Sequence, residues 1–539
     1  MFVLEASHLK KWFADRLVFA LDQFQIKTGE KIGVVGVNGA GKTTLLRVLA
    51  GEEPADEGQV VRRGTMEWIR QFDDSGYGGE PTLPPASTMS GGEWTRSKII
   101  SALAEKPALL LADEPTSHLD IESVQWLEKE LYQYAGAVLL ISHDRALLDA
   151  VCTKILEVEN GQVRLYQGNY SDYRRQKEHQ RERARFEYEQ YIAEKKRLTE
   201  AAIEKSRQSK SVLKAPKRMS NSEARIPLNK LKGSSKEAKL EKQAKAIRSR
   251  IEQLEKKEKP AELPQVQFDL DVFQPIHGKN ALQIEHLHKR FGKKNLFDSF
   301  SCTIPAGKKV ALLGRNGAGK TTLLKMIAAQ VPGVKIAPSA KIGYFDQKLD
   351  HLDEEKSILD NVKKDSPYSE MFIRTILARL LFPQETVYQP VRLLSGGEKT
   401  KVALAKVFLS DANLLLLDEP TNFLDLFTRE QLEHVLKAYP GTILFATHDR
   451  QLMMQLVDHV LVLDKGKAVY FAGSYEEYTE NQRRTRDLSE QECKQQLLQA
   501  ENQLTELIGR LSMPQKGEDQ EQLEARYQEL LKEIKKLRR

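Results

Sequence analysis

Glycine, lysine and threonine recur twice along this chain in one order. Gly36-Val-Asn38-Gly39-Ala-Gly41-Lys42-Thr43-Thr44 and Gly314-Arg-Asn316-Gly317-Ala-Gly319-Lys320-Thr321-Thr322 each follow a short apolar run. Glycines at that spacing let backbone N–H groups turn inward on phosphate oxygens, and the N-terminus of the helix that follows adds partial positive charge. Lys42 and Lys320 are placed to reach β- and γ-phosphates, and Thr43 and Thr321 to offer a hydroxyl to Mg2+. A single match is compatible with a glycine turn that binds nothing. Two matches, in register with further motifs, are not.

Carboxylates close two other apolar runs, Leu109 to Ala112 and Leu414 to Leu417. Asp113 and Asp418 stand where a carboxylate holds an Mg2+ shell. Their neighbours Glu114 and Glu419 are the candidates to polarise an attacking water. His143 and His448 follow a further apolar run, in Leu-Ile-Ser-His-Asp and Phe-Ala-Thr-His-Asp, which places each imidazole near a γ-phosphate. Gln71 and Gln347, downstream of the glycine loops, are candidates to sense Mg2+ and water, or else plain surface glutamines. Phe13 and Phe291, at matched positions ahead of the loops, are candidate adenine-stacking rings, with Trp12 an alternative in the first copy and core packing an alternative for both. Ser90-Gly91-Gly92-Glu93 and Ser395-Gly396-Gly397-Glu398, taken alone, read as helix N-caps with flexible glycines.

These residues need elements to hold them, and the chain supplies the elements twice. An offset of 278 relates residues 9–19 to 287–297 and one glycine loop to the other; an offset of 305 relates the Ser-Gly-Gly-Glu, Asp-Glu and His motifs. Such a pattern is a tandem duplication. Lys31 to Val35 reads as a buried strand entering a glycine turn, with a helix from Thr43 to Ala50. The continuous leucine runs read as parallel strands covered on both faces. Between the copies, residues 172–258 have the Glu, Lys, Arg, Gln and Ala content of long helices, interrupted from Lys214 to Ser235 by Pro and Gly. A third helical region follows Tyr478, broken at Pro514 to Gly517. The expected organisation is α/β domains at 1–171 and 263–482, a helical linker at 172–262 and a helical extension at 483–539.

Composition narrows the setting. The chain has 539 residues, of which 40% are hydrophobic and 29% charged, as in an ordinary soluble protein. No apolar run reaches the ~20 residues that cross a bilayer, and Met1 to Glu5 lacks a signal-peptide pattern. Cys152, Cys302 and Cys493 are too scattered for a disulfide framework or a zinc site, so a reducing cytoplasm is expected. From Asp172 to Glu262 there are 27 Lys or Arg against 15 Asp or Glu, a surplus of twelve; the whole chain carries +7, so the rest is net −5. Charge concentrated this way suits a phosphate-lined partner, although a solvated spacer is the plainer reading of any charged helix.

With the glycine loops, Ser-Gly-Gly-Glu identifies a sequence that resembles the ABC ATPase superfamily, whose signature it is. The resemblance implies two tandem P-loop ATPase domains and two composite ATP sites. Lys42, Asp113 and Glu114 would work with Ser395, Gly396 and Gly397, and Lys320, Asp418 and Glu419 with Ser90, Gly91 and Gly92. Two fused cassettes with a charged α-helical hairpin linker are similar to the ABC-F family over nearly the whole chain. That family's members bind the bacterial 70S ribosome in the exit-tRNA site when ATP-bound, with the linker pointing at the peptidyl-transferase centre. The implied partners are 23S rRNA and P-site tRNA, with neither membrane nor DNA.

Gln71 and Ser90 are only 19 positions apart, whereas Gln347 and Ser395 are 48 apart. This leaves no room for the arm that housekeeping members carry. The trimmed first cassette, long linker loop and C-terminal extension look most like the Vga-type resistance proteins. These protect ribosomes from lincosamides, streptogramin A compounds and pleuromutilins and leave on hydrolysis. A housekeeping translation factor acting without a drug is the alternative. The functional tip is expected at Val212 to Leu231. Val212, Leu213, Lys214, Lys217, Arg218 and Met219, with Ile226 and Leu228, are candidates either to act there or to pack the hairpin's own end.

Overall fold

The computed structural model describes residues 1–70, 91–117, 119–212, 228–257, 268, 273–291, 294–346, 352–383, 385–464, 467–512 and 520–537. The chain divides into two compact units. One comprises Met1–Gln71, Ala102–Pro115 and Glu128–Gln265; the other comprises Phe72–Ser101, Thr116–Leu127 and Val266–Arg539.

In chain order the first copy contains β1 (Phe2–Phe13), β2 (Arg16–Lys27), β3 (Lys31–Val35), α1 (Lys42–Ala50), β4 (Glu57–Arg62) and β5 (Met66–Ile69). It continues with α2 (Gly91–Ala104), β6 (Leu109–Asp113), α3 (Ile121–Gln133) and β7 (Ala137–Ile141). It closes with α4 (Arg145–Val151), β8 (Lys154–Glu159) and β9 (Gln162–Gln167). The nine strands form one sheet in the order β4-β1-β2-β9-β8-β3-β7-β6-β5. At its centre β3, β6, β7 and β8 run parallel. Every residue of β3, β6 and β7 is buried, which is why these stretches are unbroken apolar runs and not alternating ones. Ile32, Val34, Leu45, Leu49, Leu111, Leu139 and Leu156 share one core that fastens α1 to the sheet. Each such side chain contributes about 1.5–3 kcal/mol.

The linker follows without a break. α5 (Tyr170–Val212) and α6 (Leu228–Gln253) form the hairpin. They run antiparallel: Lys257, just past the end of α6, pairs with Glu187 in the first half of α5 at 3.5 Å. Leu198, Ala202, Ser209 and Ala244 are buried between otherwise charged faces. α6 begins inside the stretch expected to interrupt the helices. Pro216 and Pro227 both precede its first residue, where proline costs nothing, and Gly233 alone is carried within it.

The second copy contains β10 (Asn280–Phe291), β11 (Lys294–Pro305), β12 (Lys309–Leu313), α7 (Lys320–Ala328), β13 (Val334–Ile336) and β14 (Ile342–Phe345). Next come α8 (Ile358–Lys363), α9 (Glu370–Arg379), α10 (Gly396–Phe408), β15 (Leu414–Asp418) and α11 (Leu426–Ala438). Last are β16 (Thr442–Ala446), α12 (Arg450–Leu456), β17 (His459–Asp464) and β18 (Lys467–Phe471). The six-stranded sheet β14-β15-β16-β12-β17-β18 repeats the parallel centre, while β11-β10-β13 form a separate sheet. The C-terminal helices α13 (Tyr475–Ser512) and α14 (Gln520–Leu537) pack through Ala500, Leu530 and Ile534. No described helix is long and apolar enough to cross a membrane.

Candidate functional site

Each glycine loop leaves the C-terminal end of a central strand and enters a helix. Gly41 caps α1 at φ 98°, and a Cβ there would lie 2.5 Å from Val18 Cγ1. A Cβ on Gly36 would lie 2.5 Å from the Val158 carbonyl oxygen on β8. The first position needs left-handed backbone, the second close approach to a strand, and only glycine gives both. Lys42 Nζ curls back over the loop, 2.9 Å from Gly36 O and 3.1 Å from Val37 O. Lys320 does the same, 2.8 Å from Gly314 O.

The carboxylates arrive at the ends of the leucine strands. Thr43 Oγ1 donates to Asp113 Oδ2 at 2.8 Å, and Thr321 donates to Asp418 in the second copy. Burial pushes both aspartates up, against the pull of these hydroxyls and of Lys42 or Lys320. The next residues, Glu114 and Glu419, have φ of 50° and 49°. A non-glycine residue held there is strained, and such strain collects at functional sites. Their N–H groups still continue the sheet, donating to Ile141 O and Ala446 O at 2.9 Å. Each carboxylate is thereby turned toward a histidine. His143 Nε2 lies 3.3 Å from Glu114 Oε1, and the His143 backbone N–H donates to Glu114 Oε2 at 3.3 Å. His448 Nε2 lies 3.3 Å from Glu419 Oε1 and 3.4 Å from Lys320 Nζ.

The electrostatics of the second copy follow from burial. Desolvation pushes the Glu419 carboxyl up to about 7, against the Lys320 charge. Desolvation, then Lys320, pulls His448 down to about 4. Lys320 itself is lowered by burial, with Glu419, Asp418 and Asp120 opposing. The outcome is a carboxylate poised near neutrality beside a neutral imidazole, as general-base chemistry requires.

Ser395 is the N-cap of α10, in a reciprocal capping box: Ser395 N–H donates to Glu398 Oε2 at 2.9 Å, and Glu398 N–H to Ser395 Oγ at 3.4 Å. The Ser-Gly-Gly-Glu motif is therefore both a cap and an exposed helix N-terminus. Phe13 ends β1 with 56% of its surface exposed and Trp12 beside it with 41%, while Phe291 ends β10. Gln71, Ser90, Gln347, Leu213, Lys214, Lys217, Arg218 and Met219 lie outside the described residues, as do the side chains of Val212 and Phe291.

Three residues escaped the sequence reading. Within the second unit, Asp120 accepts from the Asn316 backbone N–H and adds its charge at Lys320 and His448. Arg315, also in that unit, pairs with Glu122 at 2.8 Å. A signal existed: an aspartate stands seven residues after Asp113 and after Asp418 alike.

A family model described as ABC transporter matches residues 21–74, 62–117 and 297–422. The erythromycin resistance ATP-binding protein MsrA of Staphylococcus epidermidis is 34% identical over 473 residues, spanning 85% of this chain and 96% of the relative. The ribosome protection protein VmlR of Bacillus subtilis is 30% identical, over 97% of this chain and 96% of its own. The energy-dependent translational throttle protein EttA of Escherichia coli is 31% identical, over 85% and 91%. Among solved structures, the archaeal ribosome recycling factor aABCE1 in complex with the stalk protein aP1 matches at TM-score 0.57 and 19% identity, covering 86% of this chain and 90% of that one. At that identity the likeness is one of fold.

Proposed function

The chain belongs to the ABC-F family of ATPases and hydrolyses ATP bound at two sites, and from that premise we propose that it protects the ribosome from antibiotics of the peptidyl-transferase centre. The observation that carries this reading is the surplus of twelve positive charges on residues 172–262, most of them along the α5–α6 hairpin. A basic pair of helices fits an RNA-lined cavity, and nothing in ATP hydrolysis itself calls for one. Two relatives with resistance or ribosome protection in their names align along most of the chain.

In this reading Lys42 and Lys320 grip the phosphates, with Gly36, Asn38, Gly39 and Gly41 and their counterparts Gly314, Asn316, Gly317 and Gly319 lining the loops. Glu114 and Glu419 take the proton of the attacking water, and His143 and His448 orient it. The donor set suits Mg2+. Thr43 with Asp113, and Thr321 with Asp418, offer only hard oxygens, and a bound cation would neutralise phosphate charge there. ATP holds the docked form, the hairpin tip perturbs the drug site, and hydrolysis releases the protein from a site bordered by 23S rRNA and P-site tRNA.

The test is expression in a susceptible bacterium against lincosamides, streptogramin A compounds, pleuromutilins and, given the name of one relative, erythromycin. Susceptibility should fall for at least one class, and deleting Pro216 to Pro227 should abolish the effect while ATPase activity persists. Resistance surviving that deletion would sink the role of the tip. The likeness to EttA favours a second reading, a translation factor acting without drug. It predicts relief of stalled translation in vitro and no change in any drug's susceptibility.

A further inference from the structure

Both cassettes send a helix out of the same corner of the fold, and in the first copy that helix is tied to the sheet through a buried carboxylate. In the first copy, Glu157 on β8 is 1% exposed. It accepts from Tyr166 Oη at 3.1 Å and Tyr173 Oη at 2.5 Å, and it pairs with Lys177 at 2.8 Å. Tyr173 and Lys177 belong to the first two turns of α5, the linker helix. A second tie lies beside it. Ser171 donates through its backbone N–H and its hydroxyl to the Asp149 carboxylate on α4, at 2.7 and 2.8 Å.

Both anchors sit next to the ATP machinery. Glu157 pairs in the sheet with Val35, the residue ahead of Gly36, and the Val158 carbonyl is the atom against which Gly36 is packed. α4 is the helix that begins two residues after His143, capped by Asp144.

The second copy serves as an internal comparison. Leu313 pairs with Val462 as Val35 does with Glu157, and Gly314 approaches the Leu463 carbonyl as Gly36 does that of Val158. The aromatic frame is kept: Tyr166–Tyr173 and Tyr170–Tyr173 correspond to Phe471–Tyr478 and Tyr475–Tyr478. The caps are kept too, Asn169 with Asp172 and Ser474 with Glu477. The polar anchors are not. Val462, Phe471 and Gln482 stand where Glu157, Tyr166 and Lys177 do, and Met454 and Glu476 stand for Asp149 and Ser171. The packing therefore does not need the charges. A buried ion pair seldom adds stability over an apolar replacement, but it does fix one geometry.

We propose that Glu157, held by Tyr166, Tyr173 and Lys177, is the positioning residue of a polar joint that passes the nucleotide state of the first ATP site to the root of the linker hairpin. The second cassette lacks this joint, so hairpin orientation answers to the first site. The proposal rests on the reading of the hairpin as the acting part.

The experiment replaces the joint in the full chain with the second copy's own residues: Glu157→Val, Tyr166→Phe and Lys177→Gln together. Glu157→Gln, which keeps an acceptor for the tyrosines, is the conservative partner. In a Glu114→Gln, Glu419→Gln background, amide exchange over the first turns of α5 is measured with and without ATP, in the absence of ribosomes. With the joint intact, ATP should slow that exchange by about tenfold or more, and the triple variant should erase the response. In the hydrolysing protein, intrinsic ATPase of the triple variant should stay within about twofold of the unaltered joint, with protection lost. Glu157→Gln should fall between. An ATP response that survives the triple change, or is missing from the intact joint, overturns the proposal. A chain that ignores ribosomes while its α5 still answers ATP overturns the ribosomal reading instead, and leaves the joint standing.

Discussion

Glu419 Oε1 and His448 Nε2 face each other across 3.3 Å, with the carboxyl pushed up to about 7 and the imidazole pulled down to about 4. The pair thus titrates on the carboxylate alone near neutrality. A base must be ionised to accept a proton, so turnover at the second site should rise with pH through about 7 and be lost as pH falls below it. In a Glu114→Gln background, His448→Gln should lower the rate and leave the inflection in place. Glu419→Gln should remove it and lower the rate by about 10²–10⁴-fold. A profile flat from about pH 6 to 8 would rule out this assignment.

Removing both bases should hold the protein in its ATP state. Glu114→Gln with Glu419→Gln is expected to bind ATP normally, hydrolyse it hundreds of times more slowly, to order of magnitude, and sediment with ribosomes in ATP. The single substitutions then report which site limits turnover. Unchanged sedimentation of the double variant would count heavily against ribosomal action.

The glycine loop offers a comparison within one motif. A Cβ on Gly36 meets the Val158 carbonyl at 2.5 Å, whereas one on Gly39 meets nothing within 4 Å but sits at φ 76°. Gly36→Ala should displace loop or strand, costing about 1–3 kcal/mol by thermal melting together with most nucleotide affinity. Gly39→Ala carries only backbone strain of about 1–2 kcal/mol. Equal losses in the two variants would show that the close approach to β8 is unimportant.

Binding through the hairpin should weaken with salt. Each phosphate neutralised contributes about 0.7–0.9 to the slope of log affinity against log salt. Lys196, Arg207 and Lys210 are exposed on α5. Changing all three to Glu in the ATP-trapped protein should flatten the slope by about 2–3. A slope that does not change would place the RNA contacts elsewhere.

The candidate site was legible because its motifs are local. A glycine loop, an apolar run and the carboxylates at its end are contiguous in sequence, so Lys42, Asp113 and Glu114 could be read without a fold. The β1–β2 hairpin was not: its turn, Ala14–Asp15, reaches φ 49° at Ala14 with no glycine or asparagine to mark it. Glu157 was hidden for a different reason. In Lys154-Ile-Leu-Glu-Val it looks like the polar residue of a half-exposed strand, and only Tyr173 and Lys177, 16 and 20 residues on, make its burial possible. Asp120 was passed over because its role is set by residues nearly 200 positions away. Ser395 carried two readings, cap and signature, and the structure shows the cap.

The length of α5 sets how far a small change at its root travels. Its 43 residues, at 1.5 Å of rise each, make a rod about 65 Å long. A tilt of about 5° at Tyr173 would swing the far end by roughly 5 Å, one helical turn's rise. The helix is thus a lever arm with a gain set by its length, and shortening α5 and α6 together by whole turns should reduce the stroke in proportion.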